Sequence, residues 1–128
     1  MSKVQAPQLS DILAARERIA PYIRRTPLVE LELGLSDRRI FLKLETLQPI
    51  GAFKLRPALS AILARSQAEL SRGVAVASSG NMAYGTAWVA QRLGIPMAAY
   101  MMADAPAAKI NGVRKLGGDV RFIDGPTW

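Results

Sequence analysis

Two polar turns in this 128-residue chain carry the side chains best suited to chemistry. In the first, Lys54 follows a glycine turn at Gly51 and opens a segment with helical spacing. The positive end of a helix dipole disfavours an ammonium group there and favours the neutral amine, which is the form that Schiff-base chemistry needs. A lysine that simply extends into solvent has the same sequence signature, so Lys54 by itself leaves both interpretations open.

The second turn is the run from Ser78 to Asn81, which lies between a short apolar run and a helical segment. Small side chains and free backbone N–H groups at a helix N-terminus form a site for an anion, such as a carboxylate or a phosphate. Serine and asparagine also cap helices for structural reasons alone. Both interpretations therefore stay open for this turn as well.

The composition excludes several catalytic classes. Without cysteine the chain has no disulfide, no thiolate nucleophile and no thiolate metal site. Without histidine it has no Ser-His-Asp triad and no imidazole-ligated zinc. Catalysis is left to carboxylates, hydroxyls, lysine or a bound cofactor. A chain without cysteine suits a reducing compartment, and we expect a cytoplasmic protein.

The charge balance is strongly basic, with 17 basic and 10 acidic side chains and a net charge of +7. The basic residues come singly or in pairs with few aromatic residues between them, so we expect no nucleic-acid surface. The longest uncharged stretch, Gly73 to Gln91, is interrupted by the second turn. We therefore expect no membrane span, and the N-terminus has no apolar segment typical of a secretory signal.

The elements that position the two turns predict an α/β fold. From Ile40 onward the order is β-α-β-α-β-α-β, and apolar strands joined by helices are typical of a parallel sheet, which binds ligands at the carboxyl ends of its strands. Because the sequence ends just after a strand, we expect an incomplete architecture. The expected helices are Leu9–Ile23 with Ser10 as N-cap, Lys54–Leu70, Met82–Leu93 closed by Gly94, and Pro106–Leu116 capped by Asp104; the expected strands are Ile40–Glu45, Val74–Ala77, Pro96–Met102 and Asp119–Asp124.

Several motifs occur in a characteristic order along the chain: Arg25–Leu28 with T-P-L, Phe41–Glu45 with L-K-L-E, Gln48–Arg56 with Q-P-I-G-A-F-K-L-R, Ser78–Ala83 with S-S-G-N-M-A, Ala105–Lys109 with A-P-A-A-K, and Leu116–Val120. With these motifs the chain resembles the fold type II enzymes that depend on pyridoxal 5′-phosphate (PLP), and within them the serine/threonine dehydratase (ammonia-lyase) group. The resemblance implies the three-layer α/β fold of the tryptophan synthase beta-like superfamily. Only the N-terminal portion of that fold would be present.

The resemblance also implies a role for each site residue. Lys54 would be the Schiff-base lysine and the catalytic residue, and Phe53 would pack beside the cofactor ring. Asn81 would donate a hydrogen bond to the pyridoxal 3′ oxygen. The loop that holds the substrate carboxylate would consist of Ser78, Ser79, Gly80 and Met82.

The reaction implied is α,β-elimination, or deamination, of a hydroxy amino acid such as L-threonine or L-serine to a 2-oxo acid and ammonia. The complete enzyme would be a homo-oligomer acting on a small amino-acid substrate. A PLP-dependent racemase or synthase on the same scaffold is the alternative. A racemase also needs an acid/base group on the opposite face of the substrate, which in this family comes from the remainder of the chain.

The sequence departs from the family pattern at four positions, where Ser, Gly, His and Gln are usual: Ala52, Pro57, Met82 and Tyr84. By resemblance, residues 1–72 are the N-terminal part of the larger PLP-binding domain with Lys54, and residues 73–128 are most of the smaller α/β domain with the carboxylate loop. The site would be the cleft between the two domains.

The family's glycine-rich loop for the PLP phosphate has no counterpart in this sequence. We therefore expect the 128 residues alone to be inactive as a lyase. A non-catalytic truncated remnant is the alternative from another functional class. Reading the coding sequence beyond Trp128 would separate the two, since an in-frame glycine-rich segment would indicate an enzyme.

Overall fold

The computed structural model describes residues 5–32, 34 and 38–123. Two single turns of 3-10 helix, Ala20–Tyr22 and Glu45–Leu47, accompany the longer elements. Within the described ranges the helices are α1 (Leu9–Ile19), α2 (Leu55–Leu63), α3 (Gln67–Leu70), α4 (Asn81–Leu93) and α5 (Ala107–Lys115), and the strands are β1 (Leu28–Leu31), β2 (Ile40–Lys43), β3 (Val74–Ala77), β4 (Met97–Met102) and β5 (Asp119–Ile123).

A parallel sheet of three strands, in the order β3-β4-β5, forms the second half of the chain. Val74 pairs with Met97, and Ala98 pairs with Asp119. Helices α4 and α5 connect the strands, as the apolar runs and their spacing predicted. The parallel sheet is therefore confirmed for these strands, and β3 has the predicted bounds. Asp124, predicted as the end of the last strand, lies outside the described residues.

The expectation that β2 also belongs to the parallel sheet was wrong. This strand pairs antiparallel with β1, a strand that the sequence pattern did not predict, with Leu28 opposite Lys43 and Leu31 opposite Ile40. It ends at Lys43 rather than Glu45, because the chain turns into 3-10 helix from Glu45. An apolar period of two identifies a strand but not its partner, because it does not specify which neighbouring strand supplies the hydrogen bonds.

The single helix expected from Lys54 to Leu70 is two helices, α2 and α3. Ser66 begins the second one: its hydroxyl oxygen accepts from the Glu69 N–H at 3.3 Å, and its own N–H donates to Glu69 Oε2 at 2.9 Å. This reciprocal capping box satisfies N–H groups that a continuous helix would have bonded itself. The helical spacing of apolar residues continues from α2 into α3, so periodicity alone did not reveal the break between the two helices.

Two predicted helix caps were also wrong. Ser10 lies inside α1, which begins one residue earlier, and the N–H of Gln8 donates to Asp11 Oδ2 at 2.8 Å. At α5 the residue before the first turn is Pro106 and not Asp104. The predicted end of α4 is confirmed, because Gly94 has φ +64° and the left-handed conformation that closes helices.

Helix α4 lies between two apolar clusters and joins the halves of the chain. One side faces a cluster with α1 and α2, which includes the fully buried Leu55 and Leu59. The other side faces the parallel sheet and α5, where Met101 and Val113 are fully buried. The helix that follows Lys54 is therefore packed on the helix that begins at Asn81. The division of the chain at residue 72 stays a prediction.

Among the helices of the described ranges, none has the length and apolar character needed to cross a membrane.

Candidate functional site

Lys54 lies at the N-terminus of a helix, as the sequence predicted, although α2 begins one residue later than expected and Lys54 is its N-cap residue. Its backbone is held because the next side chain, Leu55, is fully buried and because its carbonyl oxygen accepts from the Ala58 N–H at 3.2 Å. Its side chain is half-buried, and Nζ lies 4.9 Å from the centroid of the exposed Phe53 ring. The structure therefore presents a primary amine beside an aromatic ring on a rigid backbone.

The carboxylate of Glu45 organises the chain around this lysine. Both of its oxygens accept from Arg56, with Nε at 2.8 Å and Nη2 at 2.7 Å, in a bidentate pair. The Thr26 hydroxyl donates to the same carboxylate at 2.5 Å. Hydrogen bonding from Arg56, and to a lesser degree from Thr26 and Gln48, lowers the pKa of Glu45 to about 2. The carboxylate is therefore charged in all ordinary conditions.

Gln48 extends this network to the segment before β1. Its Nε2 donates to the Arg24 carbonyl at 2.9 Å, and its Oε1 accepts from the Arg24 N–H at 3.0 Å. The Gln48 carbonyl then accepts from the N–H of Gly51, whose φ of +68° makes the turn that leads to Lys54. Residues of three separate motifs thus converge to hold the lysine turn, a structural role that the sequence did not reveal.

The second turn, between β3 and α4, is fixed by its own hydroxyl groups. Ser78 Oγ accepts from the Gly80 N–H at 3.2 Å, and Ser79 Oγ accepts from the Met102 N–H at 2.8 Å. The Ser78 N–H donates to the Tyr100 carbonyl at 3.0 Å. Both serines therefore tie the turn to itself and to the end of β4.

The first turn of α4 offers hydrogen-bond donors to a ligand. The backbone N–H groups of Asn81 and Met82 have no acceptor in the part of the chain that the structure describes. A Cβ atom placed on Gly80 would meet nothing within 4 Å, so the space in front of the turn is open. The Met82 side chain packs against the cluster around α2, so this residue offers only its backbone. The turn has the form of an anion site.

Gly85 packs α4 closely against the lysine turn. A Cβ atom on this residue would lie 3.2 Å from Ile50 Cδ1 and 3.4 Å from the Lys54 carbonyl oxygen, so a side chain here would crowd the lysine turn. Asn81 lies four residues earlier, on the same face of α4. The sequence analysis did not single out Gly85, although a glycine inside a helix is a signal of close packing.

Asn81 is held by a lysine from the next helix. Its Oδ1 accepts from Lys109 Nζ at 2.5 Å, and the same Nζ lies 5.7 Å from the centroid of the Tyr84 ring. Among the described residues, none accepts a hydrogen bond from Asn81 Nδ2. The amide nitrogen thus remains available as a donor.

These groups fit a pyridoxal ring and an amino-acid carboxylate. An amine, a neighbouring aromatic ring and an amide donor suit the aldehyde, face and ring oxygen of the cofactor, and the N–H groups at the start of α4 suit a carboxylate. Within residues 5–32, 34 and 38–123, no glycine-rich loop of the kind that holds a PLP phosphate is present.

Comparisons with known proteins identify the family of this chain. Residues 19–128 match the family model described as "Pyridoxal-phosphate dependent enzyme". The chain is 42% identical over 114 residues to beta-hydroxyaspartate dehydratase of Paracoccus denitrificans, covering 88% of this chain and 36% of the relative. It thus spans little more than a third of the length of that curated relative.

Solved structures confirm the fold. The structure superposes on maize serine racemase with a TM-score of 0.88 and 35% identity, covering 95% of this chain and 38% of the racemase chain. For the T.th. threonine deaminase the TM-score is 0.80 and the identity 43%, covering 91% of this chain and 37% of the deaminase chain. The tryptophan synthase beta-like α/β fold expected from the motifs is therefore confirmed, in part of its extent. With most of its length matched, the chain belongs to the pyridoxal-phosphate dependent enzyme family, and its cofactor is pyridoxal 5′-phosphate.

Proposed function

We propose that the protein carrying this chain catalyses the PLP-dependent α,β-elimination of a hydroxy amino acid to a 2-oxo acid and ammonia. The observation that carries the proposal is the close contact of Gly85 with the Lys54 backbone. That contact supports the proposal, because the turn that carries Lys54 is packed against the helix whose first turn has free N–H donors. An amino-acid substrate needs both, since its Cα proton must be removed while its carboxylate is held.

The residues of this chain divide that work. Lys54 would hold the cofactor through its amine, with Phe53 beside the ring and Asn81 as a donor to the ring oxygen. When bound, PLP accepts the electron pair left at Cα. The Lys54 amine would take the Cα proton as general base. The backbone N–H groups at the start of α4 would orient the substrate carboxylate, and Ser78, Ser79 and Gly80 would keep that turn in shape.

The relatives named above support a hydroxy amino acid as the substrate class. The Paracoccus enzyme is named for beta-hydroxyaspartate and the T.th. protein for threonine, and both substrates carry a β-hydroxyl group as leaving group. In the net reaction, serine would yield one pyruvate and one ammonium ion, because the water lost on elimination is regained on hydrolysis.

A racemase is the second candidate function, and the close superposition on maize serine racemase favours it. Both reactions begin with removal of the Cα proton, and they differ in whether a proton returns to the opposite face or the β-hydroxyl leaves. The residues of this chain serve the shared first step.

Product analysis of the full-length protein tests the proposal. With L-serine, L-threonine and L-threo-3-hydroxyaspartate as substrates, we expect a 2-oxo acid and ammonia in equal amounts from at least one of them. A D-amino acid formed without a 2-oxo acid would establish the racemase instead. Absence of both products, with no cofactor bound, would favour the non-catalytic alternative.

Replacing Asn81 by alanine should keep the cofactor attached to Lys54 but slow turnover. Losing a hydrogen bond to a charged group costs roughly 1.5–3 kcal/mol, which corresponds to about a ten- to hundredfold lower rate. The measurement is kcat together with the absorption spectrum of the bound cofactor. Asn111→Ala, at an exposed position of α5, is the matched control and should change neither. If Asn81→Ala left the rate and the spectrum unchanged, the turn would have only the structural role of a helix cap.

Residues 1–128 purified alone should self-associate and release no 2-oxo acid. The two-stranded ribbon of β1 and β2 leaves large apolar side chains between 42% and 62% exposed, on both of its faces: Leu28, Val29, Phe41 and Leu42. Each such side chain forgoes roughly 1.5–3 kcal/mol of burial. Size-exclusion chromatography and a 2-oxo acid assay measure the outcome. A monomeric, cooperatively melting chain that binds PLP tightly and releases ammonia would contradict it.

A further inference from the structure

We propose that Lys109 is a positioning residue that fixes the orientation of the Asn81 amide, so that this side chain presents only a donor to the ligand. The inference rests on the proposed function, because it concerns how Asn81 meets the ring oxygen of the cofactor. It assigns a role to the lysine of the A-P-A-A-K motif, for which the motif itself suggested none.

The first step is the chemistry of the contact. An ammonium group has three donors and no acceptor, so it can bond only to the oxygen of an amide. Lys109 Nζ lies 2.5 Å from Asn81 Oδ1. The opposite orientation of the amide would place its NH₂ group against the ammonium, where neither could accept. Lys109 therefore determines which end of the Asn81 amide remains free.

The second step is the packing that holds Lys109 in place. Its Nζ lies 5.7 Å from the Tyr84 ring centroid, a distance at which an ammonium is attracted to an aromatic face. Gly112 lies three residues further along α5, and a Cβ atom there would come within 3.0 Å of Tyr84 Cε2. The ring fits between α4 and α5 because this position is glycine. Lysine, tyrosine and glycine thus form one contact between the two helices.

The third step concerns the ligand. Within the described residues, Asn81 Nδ2 has no acceptor, so it is free to donate to a ligand oxygen. The Lys109 charge on the far side of the amide polarises it and favours an oxygen that carries negative charge. Lys109 contacts the oxygen of the amide, on the side opposite the free Nδ2. Its effect would therefore be seen only through a ligand that has an oxygen at this position.

The experiment compares two cofactors in the full-length protein and its variants. Pyridoxal 5′-phosphate has the ring oxygen, and its 3-deoxy analogue lacks it while keeping the aldehyde and the phosphate. Dissociation constants are measured by absorbance titration of the cofactor-free protein. For Lys109→Met we expect PLP to bind about two- to tenfold more weakly, the range of one ordinary hydrogen bond, and the analogue to bind unchanged.

Two further variants sharpen the test. Lys109→Arg keeps the donors and should restore the preference for PLP over the analogue. Lys109→Glu supplies an acceptor that attracts Nδ2, turns the carbonyl towards the ligand and should weaken PLP binding more than Lys109→Met does. Lys115→Met, an exposed lysine on the same helix, is the control and should leave both dissociation constants unchanged.

Equal weakening of PLP and the analogue in Lys109→Met would overturn the inference, because it would mean that the lysine only supports the fold. No weakening of either would overturn it as well. Both results leave the proposed function intact as long as the wild-type protein attaches PLP to Lys54. A wild-type protein that binds neither cofactor would overturn the proposed function and this inference together.

Discussion

Replacing Lys54 by alanine in the full-length protein should lower turnover by roughly a hundred- to ten-thousandfold, the range that a positioned general base contributes. The physical reason is that in the proposed function one amine would serve two roles, as the attachment point of the cofactor and as the base for the Cα proton. The structure supports both, since Lys54 has a fixed backbone and an accessible, half-buried amine beside Phe53. The measurement is the rate of 2-oxo acid release under saturating substrate.

Chemical trapping gives an independent measurement of the same assignment. Borohydride reduction of the protein with PLP should attach the pyridoxyl group to Lys54, and peptide mapping should find Lys43 and Lys109 unlabelled. Those two lysines are already engaged, since Lys43 Nζ donates to the Thr26 carbonyl and Lys109 Nζ to Asn81. In the turnover measurement, Lys115→Ala is the control for the loss of a positive charge and should keep the wild-type rate, because this lysine is exposed at the end of α5. A label found mainly on another lysine would contradict the assignment.

Replacing Glu45 by glutamine should destabilise the protein by about 3 kcal/mol at neutral pH. The pKa of this carboxyl falls from 4.5 to about 2 in the folded state, and each unit corresponds to about 1.4 kcal/mol. The side chains of Arg56 and Glu45 are 32% and 15% exposed, so solvent screens the pair only in part. The substitution also leaves Arg56 without its bidentate partner.

The stabilisation by Glu45 should decrease as the pH falls. A carboxyl with a lowered folded-state pKa contributes its full stability above the unfolded value of 4.5 and loses it as the pH falls towards 2. Urea unfolding of the wild-type and Glu45→Gln proteins should therefore differ at pH 7 and converge as the pH approaches 2. Glu30→Gln is the control, because its pair with Arg39 is exposed and should contribute little. A difference that persists unchanged at acid pH would contradict the assignment.

What could be predicted from the sequence was local. The strand from Val74 to Ala77 has the predicted bounds, Gly94 closes α4 as predicted, and Lys54 lies at a helix N-terminus as predicted. These features depend on side-chain periodicity and on the ability of glycine to adopt a left-handed conformation. Both are properties of short stretches of sequence. The order and spacing of the motifs also identified the family correctly, although the motifs did not show which of their residues contact one another.

Only the tertiary structure decided which residues meet. The approach of Gly85 to Lys54 and the hydrogen bond from Lys109 to Asn81 both join segments that are far apart in the sequence. No local period specifies such contacts, because an amphipathic element packs equally well on any surface of suitable shape. Packing of α2 and α5 on α4 places the segments that carry Lys54, Asn81 and Lys109 on neighbouring helices, and this arrangement is the basis of the proposed site.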